Sequence, residues 1–315
     1  MTVDDLLSAQ VPASGADIDA EGYDRPGARW LERRISDGVL LVQGPMGSQL
    51  MSQVGAHDVP AAFWNVGEPQ EVARLHALYR ACGADAMLTN TFQASAPALA
   101  RDGVTAPMRR VNREAVALAR RAGAPCTLGS IGMCGIDWLV EDSAEYRAAR
   151  AAYRDQAREL LAAGVSGIML ETFTSTRALA PALEGALDAA DGMPVLASFA
   201  IDDAGDLLGD GLNIEAACMF AQERGACSVG VNCCSVEAAT AAVPRMVRAV
   251  PLPVSVRPNA GYPERADDGA PVWREQPEAF AAACPRWVAD GARIVGSCCG
   301  AGPLTTCALS GVLAG

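Results

Sequence analysis

Three cysteines in two short stretches are the residues of this chain best suited to metal chemistry. Cys233 follows the apolar run 227–231, and Cys298 and Cys299 follow the run 293–295. Both runs favour strands and lead into small or turn-forming residues, so we expect the three thiols at strand ends. One thiol from one strand and two from another would give a zinc ion three sulfur ligands and an open fourth position, which is typical of a catalytic site.

A simpler interpretation is that these cysteines only pack. Free cysteine behaves as a small hydrophobe and is common in protein cores, and the chain contains 11 cysteines. The CxxC pairs of a closed structural zinc site are absent from the sequence. Spacing alone leaves the metal and the packing interpretations open. In an intracellular chain of this length, we expect all the cysteines to be reduced thiols.

Composition excludes several other kinds of chemistry. All 25 basic residues are arginine, which excludes Schiff-base catalysis and phosphate loops that need a lysine. His57 and His76 are the only histidines, which argues against a metal site built mainly from imidazole. The formal net charge is −12, and without a concentrated basic run this argues against nucleic acid or an anionic membrane as the main partner. A small-molecule substrate is the better hypothesis.

The length of 315 residues suits a single α/β barrel. Residues 1–36 hold prolines and glycines among scattered acids, and we interpret them as an N-terminal extension that partly packs on the outside of one domain, residues 37–315. The sequence shows neither an apolar run long enough to span a membrane nor a signal peptide at its N-terminus. We therefore expect a soluble, cytoplasmic protein.

A regular alternation of short β-prone runs and longer helical stretches begins at residue 39. The stretch 144–163, for example, places Tyr146, Tyr153 and Leu160 on one apolar face. Eight strands alternating with helices are typical of a (β/α)8 TIM barrel, which has its chemistry at the C-terminal strand ends. The predicted strands are 39–42, 86–89, 126–130, 167–170, 195–200, 227–231, 253–256 and 293–295. The predicted helices are 70–82, 108–122, 144–163, 176–190, 214–224, 236–249 and 277–290.

Polar or glycine-rich residues follow most of the predicted strands, where a barrel has its mouth. Gln43 follows the first strand and Glu171 the fourth. Cys233 follows the sixth strand, and Cys298 and Cys299 follow the eighth. A barrel therefore brings the three thiols to one rim. This convergence favours the metal interpretation over the packing interpretation.

With these residues assembled, the chain resembles the homocysteine S-methyltransferase family, zinc-dependent TIM-barrel enzymes that include the homocysteine module of cobalamin-dependent methionine synthase. The matching motifs occur in family order, and the Asn-Cys motif paired with Cys-Cys-Gly is the most specific of them. They are residues 44–48, 83–85, 89–92, 129–132, 170–172, 230–233, 258–261 and 296–300. The resemblance implies a methyltransferase whose acceptor is homocysteine, which it converts to methionine.

The resemblance also implies the roles of individual residues. Cys233, Cys298 and Cys299 would hold Zn²⁺, and the acceptor thiol would become the fourth ligand, because coordination deprotonates a thiol and leaves its sulfur nucleophilic. Glu171 would bind the amino group of homocysteine, although a carboxylate there could instead stabilise a helix N-terminus. Backbone amides near Ser130 and Gly132, or within 44–48, would bind the carboxylate of the substrate. The residues expected to contact the substrate are Glu171, Gln43, Ser130, Asn232, Met46 and Gly47.

Gln43 departs from the family pattern, which usually has at this position an aspartate that helps to bind the ammonium group of the substrate. Glutamine keeps a hydrogen-bond acceptor and loses the charge. Affinity for homocysteine would then depend on Glu171 alone, or the acceptor would be a different thiol. Arg257, beside the loop 258–261, could attract an anionic group or form an ordinary salt bridge.

The sequence leaves the methyl donor open. A betaine donor would need an aromatic cage around its quaternary ammonium, but the positions after Phe92 and Glu171 hold Gln93 and Thr172. The donors that remain are S-methylmethionine and a methylated corrinoid. The corrinoid would be carried by a separate protein, because a chain of this length has no room for a corrinoid-binding domain. An alternative keeps the fold and zinc but passes methyl groups between another substrate and a corrinoid protein. In a non-enzyme alternative, the barrel is a subunit that only binds zinc or a ligand.

Overall fold

The structure, a computed structural model, describes residues 25–54, 59–138, 140–261, 263–265 and 271–315. His57 and most of the predicted N-terminal extension lie outside the described residues. Eight parallel strands form one sheet, and helices lie between consecutive strands.

All eight strands predicted from the sequence are present, with ends that differ from the prediction by at most three residues. The strands are β1 (Leu40–Leu41), β2 (Ala86–Leu88), β3 (Cys126–Ile131), β4 (Gly167–Phe173), β5 (Val195–Phe199), β6 (Ser228–Asn232), β7 (Val254–Arg257) and β10 (Ala292–Val295). A short antiparallel hairpin, β8 (Glu264–Arg265) and β9 (Pro271–Val272), is inserted after β7. The order in the large sheet is β1-β10-β7-β6-β5-β4-β3-β2.

The first and last strands of this order meet and close the sheet. Val42 forms a parallel bridge with Ala86, and the Gln43 amide donates to the Ala86 carbonyl at 3.0 Å. On its other side, β1 pairs with β10 in parallel. The expectation of a (β/α)8 barrel is confirmed.

The helices between the strands follow the predicted amphipathic pattern. They are α1 (Arg25–Asp37), α2 (Gly47–Val54), α3 (Trp64–Gly67), α4 (Pro69–Ala81), α5 (Ala96–Arg101), α6 (Met108–Arg121), α7 (Ala144–Ala162), α8 (Thr176–Ala190), α9 (Ile214–Glu223), α10 (Val236–Ala249), α11 (Pro277–Ala289) and α12 (Pro303–Ala314). In α7 the Ser143 hydroxyl accepts from the Tyr146 amide and caps the first turn, and the predicted face with Tyr153 and Leu160 is buried. Among these helices, none combines the length and hydropathy needed to cross a bilayer.

Helix α1 packs on the N-terminal end of the barrel. Leu31 and Ile35 belong to the same buried cluster as Leu40, Leu88 and other residues of the strand interiors. The proposed boundary between residues 36 and 37 falls in the last turn of α1. This helix therefore covers the end of the barrel opposite the thiols.

Two cysteines correct the expectation that every thiol is reduced. Cys82 follows α4, Cys307 lies on α12, and the two form a disulfide across 225 residues of sequence. They share an apolar cluster with Leu78 and Leu304, where the two helices pack together. Reasoning from cellular compartment missed the bond because it takes no account of which cysteines the fold brings into contact.

Candidate metal centre at the barrel mouth

The three thiols singled out in the sequence meet at the C-terminal end of the barrel. The Sγ atom of Cys233, directly after β6, lies 3.2 Å from that of Cys298 and 3.8 Å from that of Cys299. All three sulfurs lie within 4.8 Å of one another. Cys233 has a φ of 55°, a left-handed conformation that costs energy in a residue other than glycine. The backbone thus turns out of the strand at the residue that points its sulfur at the other two.

The loop after β7 fixes the two cysteine segments relative to each other. The Asn259 amide donates to the Cys234 carbonyl at 2.8 Å, on the β6 side. On the β10 side, the Cys298 amide donates to the Pro258 carbonyl at 2.7 Å, and the Ala260 amide donates to the Cys299 carbonyl at 3.0 Å. Three consecutive residues of one loop therefore bond to both segments, which holds the sulfurs in place without a ligand.

Asn232 forms hydrogen bonds to neighbouring residues through both the oxygen and the nitrogen of its side-chain amide. Its Oδ1 accepts from the Ser198 hydroxyl at 2.7 Å and from the Thr172 amide at 3.0 Å. Its Nδ2 donates to Thr172 Oγ1 at 2.7 Å and to Cys298 Sγ at 3.5 Å. The structure thus places this predicted substrate-binding residue as a support for Cys298.

Negative charge in the thiol cluster develops first on Cys298. Hydrogen bonds from the Cys233 and Cys299 thiols hold the pKa of Cys298 well below its usual range, and the charge of Arg257 and the Asn232 amide act in the same direction. The pKa of Cys233 is raised, mainly because its thiol is hydrogen-bonded to Cys298. A thiolate is the form of cysteine that binds a metal.

Cys234, next to Cys233, belongs to the apolar core of the barrel. Its side chain is 3 % exposed, and burial raises its pKa to about 12. Cys234 is therefore a packing residue of the core.

Glu171 forms a buried ion pair across the mouth. Arg257 Nη2 lies 2.7 Å from Glu171 Oε2. The other carboxylate oxygen, Oε1, accepts from the Ser130 hydroxyl. The two charged side chains are 1 % and 8 % exposed. Of the two interpretations of Arg257 made from the sequence, the structure thus shows a salt bridge.

Gln43 is fully buried and bonded to a histidine that the sequence had not connected with it. Gln43 Oε1 lies 2.9 Å from His76 Nδ1, and Gln43 Nε2 donates to the Gly44 carbonyl at 3.3 Å. Since the amide oxygen can only accept, Nδ1 carries the proton. Burial lowers the pKa of His76 from 6.5 to about 3, so this pair is neutral at physiological pH.

The backbone amides expected to bind a substrate carboxylate divide into two groups. The Ser130 amide donates to Thr89 Oγ1 at 3.0 Å, and the Gly132 amide donates to the Phe92 carbonyl at 2.7 Å. Both donors are used within the protein, and a role for Ser130 in substrate binding stays a prediction.

The second group of amides lies beside the thiols. Met46 and Gly47 stand at the start of α2, where amides have no acceptor inside the helix. The next residue, Ser48, accepts through its hydroxyl from the Gly300 amide at 3.2 Å. A role for Met46 and Gly47 in substrate binding stays a prediction.

The thiol cluster fits a tetrahedral metal ion with one free position. Zinc bound to sulfur at about 2.3 Å places its sulfur ligands about 3.8 Å apart. The sulfur of Cys233 lies 3.2 and 3.8 Å from those of Cys298 and Cys299, and these last two sulfurs lie within 4.8 Å of each other. Three thiolates and no imidazole also form a donor set that zinc favours.

Sequence reasoning missed the contacts that support the thiols. Thr172 has a φ of 63° and bonds to Asn232, and Ser198 lies inside the barrel on β5. Ser198 follows the alternation that places side chains inside the barrel, two residues after the interior Leu196, and that was the only signal available. Thr172 comes directly after Glu171 and is out of this alternation, so no pattern indicated it. The reach of Arg257 from β7 to Glu171 on β4 had no signal at all, because β5 and β6 lie between these two strands in the sheet.

The fold and the site together define a class of protein, a (β/α)8 barrel with three converging thiols at the rim of its mouth. The sequence model of the homocysteine S-methyltransferase family matches residues 40–313. The chain belongs to this family. The resemblance found in the motifs is confirmed.

Curated relatives agree with this assignment. Methionine synthase of Mycobacterium tuberculosis is 29% identical over 293 residues, which are 85% of this chain and 24% of that protein. Homocysteine S-methyltransferase of Escherichia coli is 27% identical over 299 residues, 86% of this chain and 94% of that protein. The chain thus spans about a quarter of the methionine synthase and nearly all of the second relative.

Solved structures support the fold. The crystal structure of the homocysteine methyltransferase MmuM from E. coli in its metallated form aligns with a TM-score of 0.73 and 24% identity, covering 91% of this chain and 99% of that one. The carboxyl transferase domain of Rhizobium etli pyruvate carboxylase aligns with a TM-score of 0.54 and 15% identity, covering 92% of this chain and 45% of that one. At these identities the likeness extends to the barrel and not to a substrate.

Proposed function

We propose that this protein is a zinc-dependent S-methyltransferase that methylates a small thiol, with homocysteine as the acceptor favoured by the family. The observation that carries the proposal is the convergence of Cys233, Cys298 and Cys299 at the barrel mouth. Zinc bound by these residues would have one position left for the acceptor thiol and would supply its deprotonation while leaving the sulfur nucleophilic.

The residues around the thiols prepare them for this task. The Asn232 amide and the Arg257 charge both favour the thiolate form of Cys298, and Cys298 is 8 % exposed, which limits competition from water. The loop 258–260 holds both cysteine segments by backbone hydrogen bonds. The site is therefore organised before a substrate arrives, which reduces the cost of reaching the reactive geometry.

In the proposed reaction a methyl group passes from a donor to the acceptor sulfur. With S-methylmethionine as donor, the acceptor thiolate forms the new S–CH₃ bond while the bond from the methyl carbon to the sulfonium sulfur breaks. The bonding electron pair remains on the donor sulfur, so donor and homocysteine each yield methionine, and the thiol proton leaves when the acceptor binds. A methylated corrinoid protein is the alternative donor.

The test is methionine formation by the zinc-loaded full chain from homocysteine and S-methylmethionine, with no other protein added. Turnover that stops after removal of zinc and returns after its addition is the expected result. If only addition of a methylated corrinoid protein gives methionine, the donor is a corrinoid. A protein that binds no zinc, or binds it and transfers no methyl group from either donor, would contradict the proposed function and support a binding subunit.

A further inference from the structure

The two adjacent cysteines of the candidate metal centre lead into a short connection. Cys298 and Cys299 are followed by residues 300–302, and α12 begins at Pro303. The N-cap position of α12 is Gly302, which has no side chain to accept from the first amides of the helix. The helix that follows the cysteines therefore needs an acceptor from elsewhere in the protein.

Glu275, in the segment after β9, supplies this acceptor. Its Oε1 accepts from the Gly302 amide at 2.9 Å, from the Thr305 amide at 2.8 Å and from the Thr305 hydroxyl at 3.0 Å. Thr305 is the third residue of α12, and its amide is one that a local N-cap side chain would bind. The carboxylate also lies at the positive end of the helix dipole. Glu275 thus caps α12 from 27 residues away in the sequence.

Gly302 leaves the space that this carboxylate occupies. A Cβ at position 302 would lie 2.9 Å from Glu275 Oε2 and 3.0 Å from its Oε1, which is too close for an ordinary contact. Trp273, two residues before Glu275, makes a similar contact, since a Cβ on Gly300 would clash with the indole ring. The segment after β9 therefore packs directly on the backbone of the connection.

Helix α2 holds the connection from another side. The Gly300 amide donates to Ser48 Oγ at 3.2 Å, and Gln49 Nε2 donates to the Ala301 carbonyl at 3.1 Å. Each of the three residues 300–302 is thus in contact with a distant part of the chain, and Gly302 depends on Glu275 for its contact.

Helix α12, to which Glu275 joins the connection, is itself anchored. Leu304 and Cys307 pack in one apolar cluster with Leu78 and Cys82 at the end of α4. The hydrogen bonds of Glu275 therefore connect the backbone after the cysteines to a helix whose position is already fixed. Since the two cysteines are adjacent, the path of this backbone decides whether both sulfurs can face the third.

We propose that Glu275 is a positioning residue for the metal centre: by capping α12 it fixes the connection 300–302 and so orients the Cys298 and Cys299 thiols towards one ion. The inference rests on the proposed function, because it concerns the zinc of that reaction. In this role Glu275 acts through the backbone and not as a ligand.

The zinc affinity of the full chain, measured by competition with a chromophoric chelator in one redox buffer, tests the inference without a substrate. Glu275→Ala should weaken zinc binding by about tenfold or more, as the loss of contacts that support metal ligands does. Glu275→Gln keeps a neutral acceptor oxygen and should weaken it by about threefold. Ser143→Ala removes the N-cap of α7, whose loop carries none of the three cysteines, and is the matched control that should keep the wild-type affinity. An equal loss in this control would overturn the inference.

Cobalt substitution gives a readout that a loss of stability alone would not change. The visible absorption bands of Co²⁺ bound to thiolates depend on the geometry of the ligands. Glu275→Ala should alter these bands relative to wild type, whereas Ser143→Ala should leave them unchanged. Identical spectra for Glu275→Ala and wild type would contradict a change in the orientation of the thiols.

A second substitution tests the capping role itself. Gly302 has the extended backbone of an N-cap residue, so Gly302→Ser in the Glu275→Ala background places a local cap where the carboxylate was. This double variant should recover most of the lost zinc affinity. Recovery of stability in urea without zinc affinity, or wild-type zinc affinity in both single Glu275 variants, would overturn the inference and leave the proposed function intact. A wild-type protein that binds no zinc would refute the proposed function and the inference together.

Discussion

Two ion pairs of this protein have the same length and differ in burial, which allows a direct test of what the buried one contributes. Arg257 and Glu171 approach to 2.7 Å with side chains 1 % and 8 % exposed. Arg245 and Glu215 also approach to 2.7 Å, with side chains 26 % and 34 % exposed. Replacing each glutamate by glutamine removes the charge and keeps the shape.

The expected losses in the free energy of unfolding differ several-fold. Glu171→Gln leaves the buried Arg257 without a counter-charge, which costs about 3–5 kcal/mol. Glu215→Gln breaks a solvent-screened pair and costs about 1 kcal/mol or less. Adding Arg257→Met to Glu171→Gln should recover most of the first loss, because the double variant has no unpaired charge.

Urea unfolding of the metal-free proteins at pH 7, in one redox buffer, measures these differences without a contribution from bound metal. A Glu171→Gln variant within about 1 kcal/mol of Glu215→Gln would refute the reasoning. It would mean that water or a rearrangement compensates the charge of Arg257.

Three further predictions concern the cysteines and the buried histidine. Cys298→Ser should abolish zinc binding and methyl transfer. Cys234→Ser should keep stoichiometric zinc by metal analysis and lose only stability. Zinc retained by the Cys298→Ser variant would contradict the assignment of Cys298 as a zinc ligand. Thiol titration of the unfolded, unreduced protein should count nine thiols of the eleven cysteines, and a count of eleven would show that Cys82 and Cys307 are not bonded. His76 should lower stability in acid, because its pKa is about 3 in the folded protein against the ordinary value of 6.5 in the unfolded chain. Its contribution to the free energy of unfolding is complete above pH 6.5 and is lost as the pH falls towards 3. Between pH 7 and pH 5, His76→Gln should therefore lose about 2 kcal/mol less than wild type in urea unfolding, and equal losses would contradict burial of a neutral His76.

The strands and helices could be predicted from the sequence because each depends on a local pattern. The eight β-prone runs alternate with helical stretches, and a parallel sheet built from such units closes in few ways. The same regularity placed Cys233, Cys298 and Cys299 at one rim, since every strand of the barrel ends on the same side. The disulfide between Cys82 and Cys307 follows no such rule, because it depends on how two surface helices pack.

The sequence by itself determined the barrel, the family and the three converging thiols, because these follow from periodicity and from motifs at fixed strand ends. Only the tertiary structure decided what surrounds the thiols. Arg257 and Glu171 are far apart in the chain and lie on strands that are not neighbours, and Gln43 meets His76 on α4, 33 residues further along the chain. Hydrogen bonds and burial between such distant side chains depend on three-dimensional position, which local pattern does not encode, and they determine the charge that a substrate encounters at the mouth.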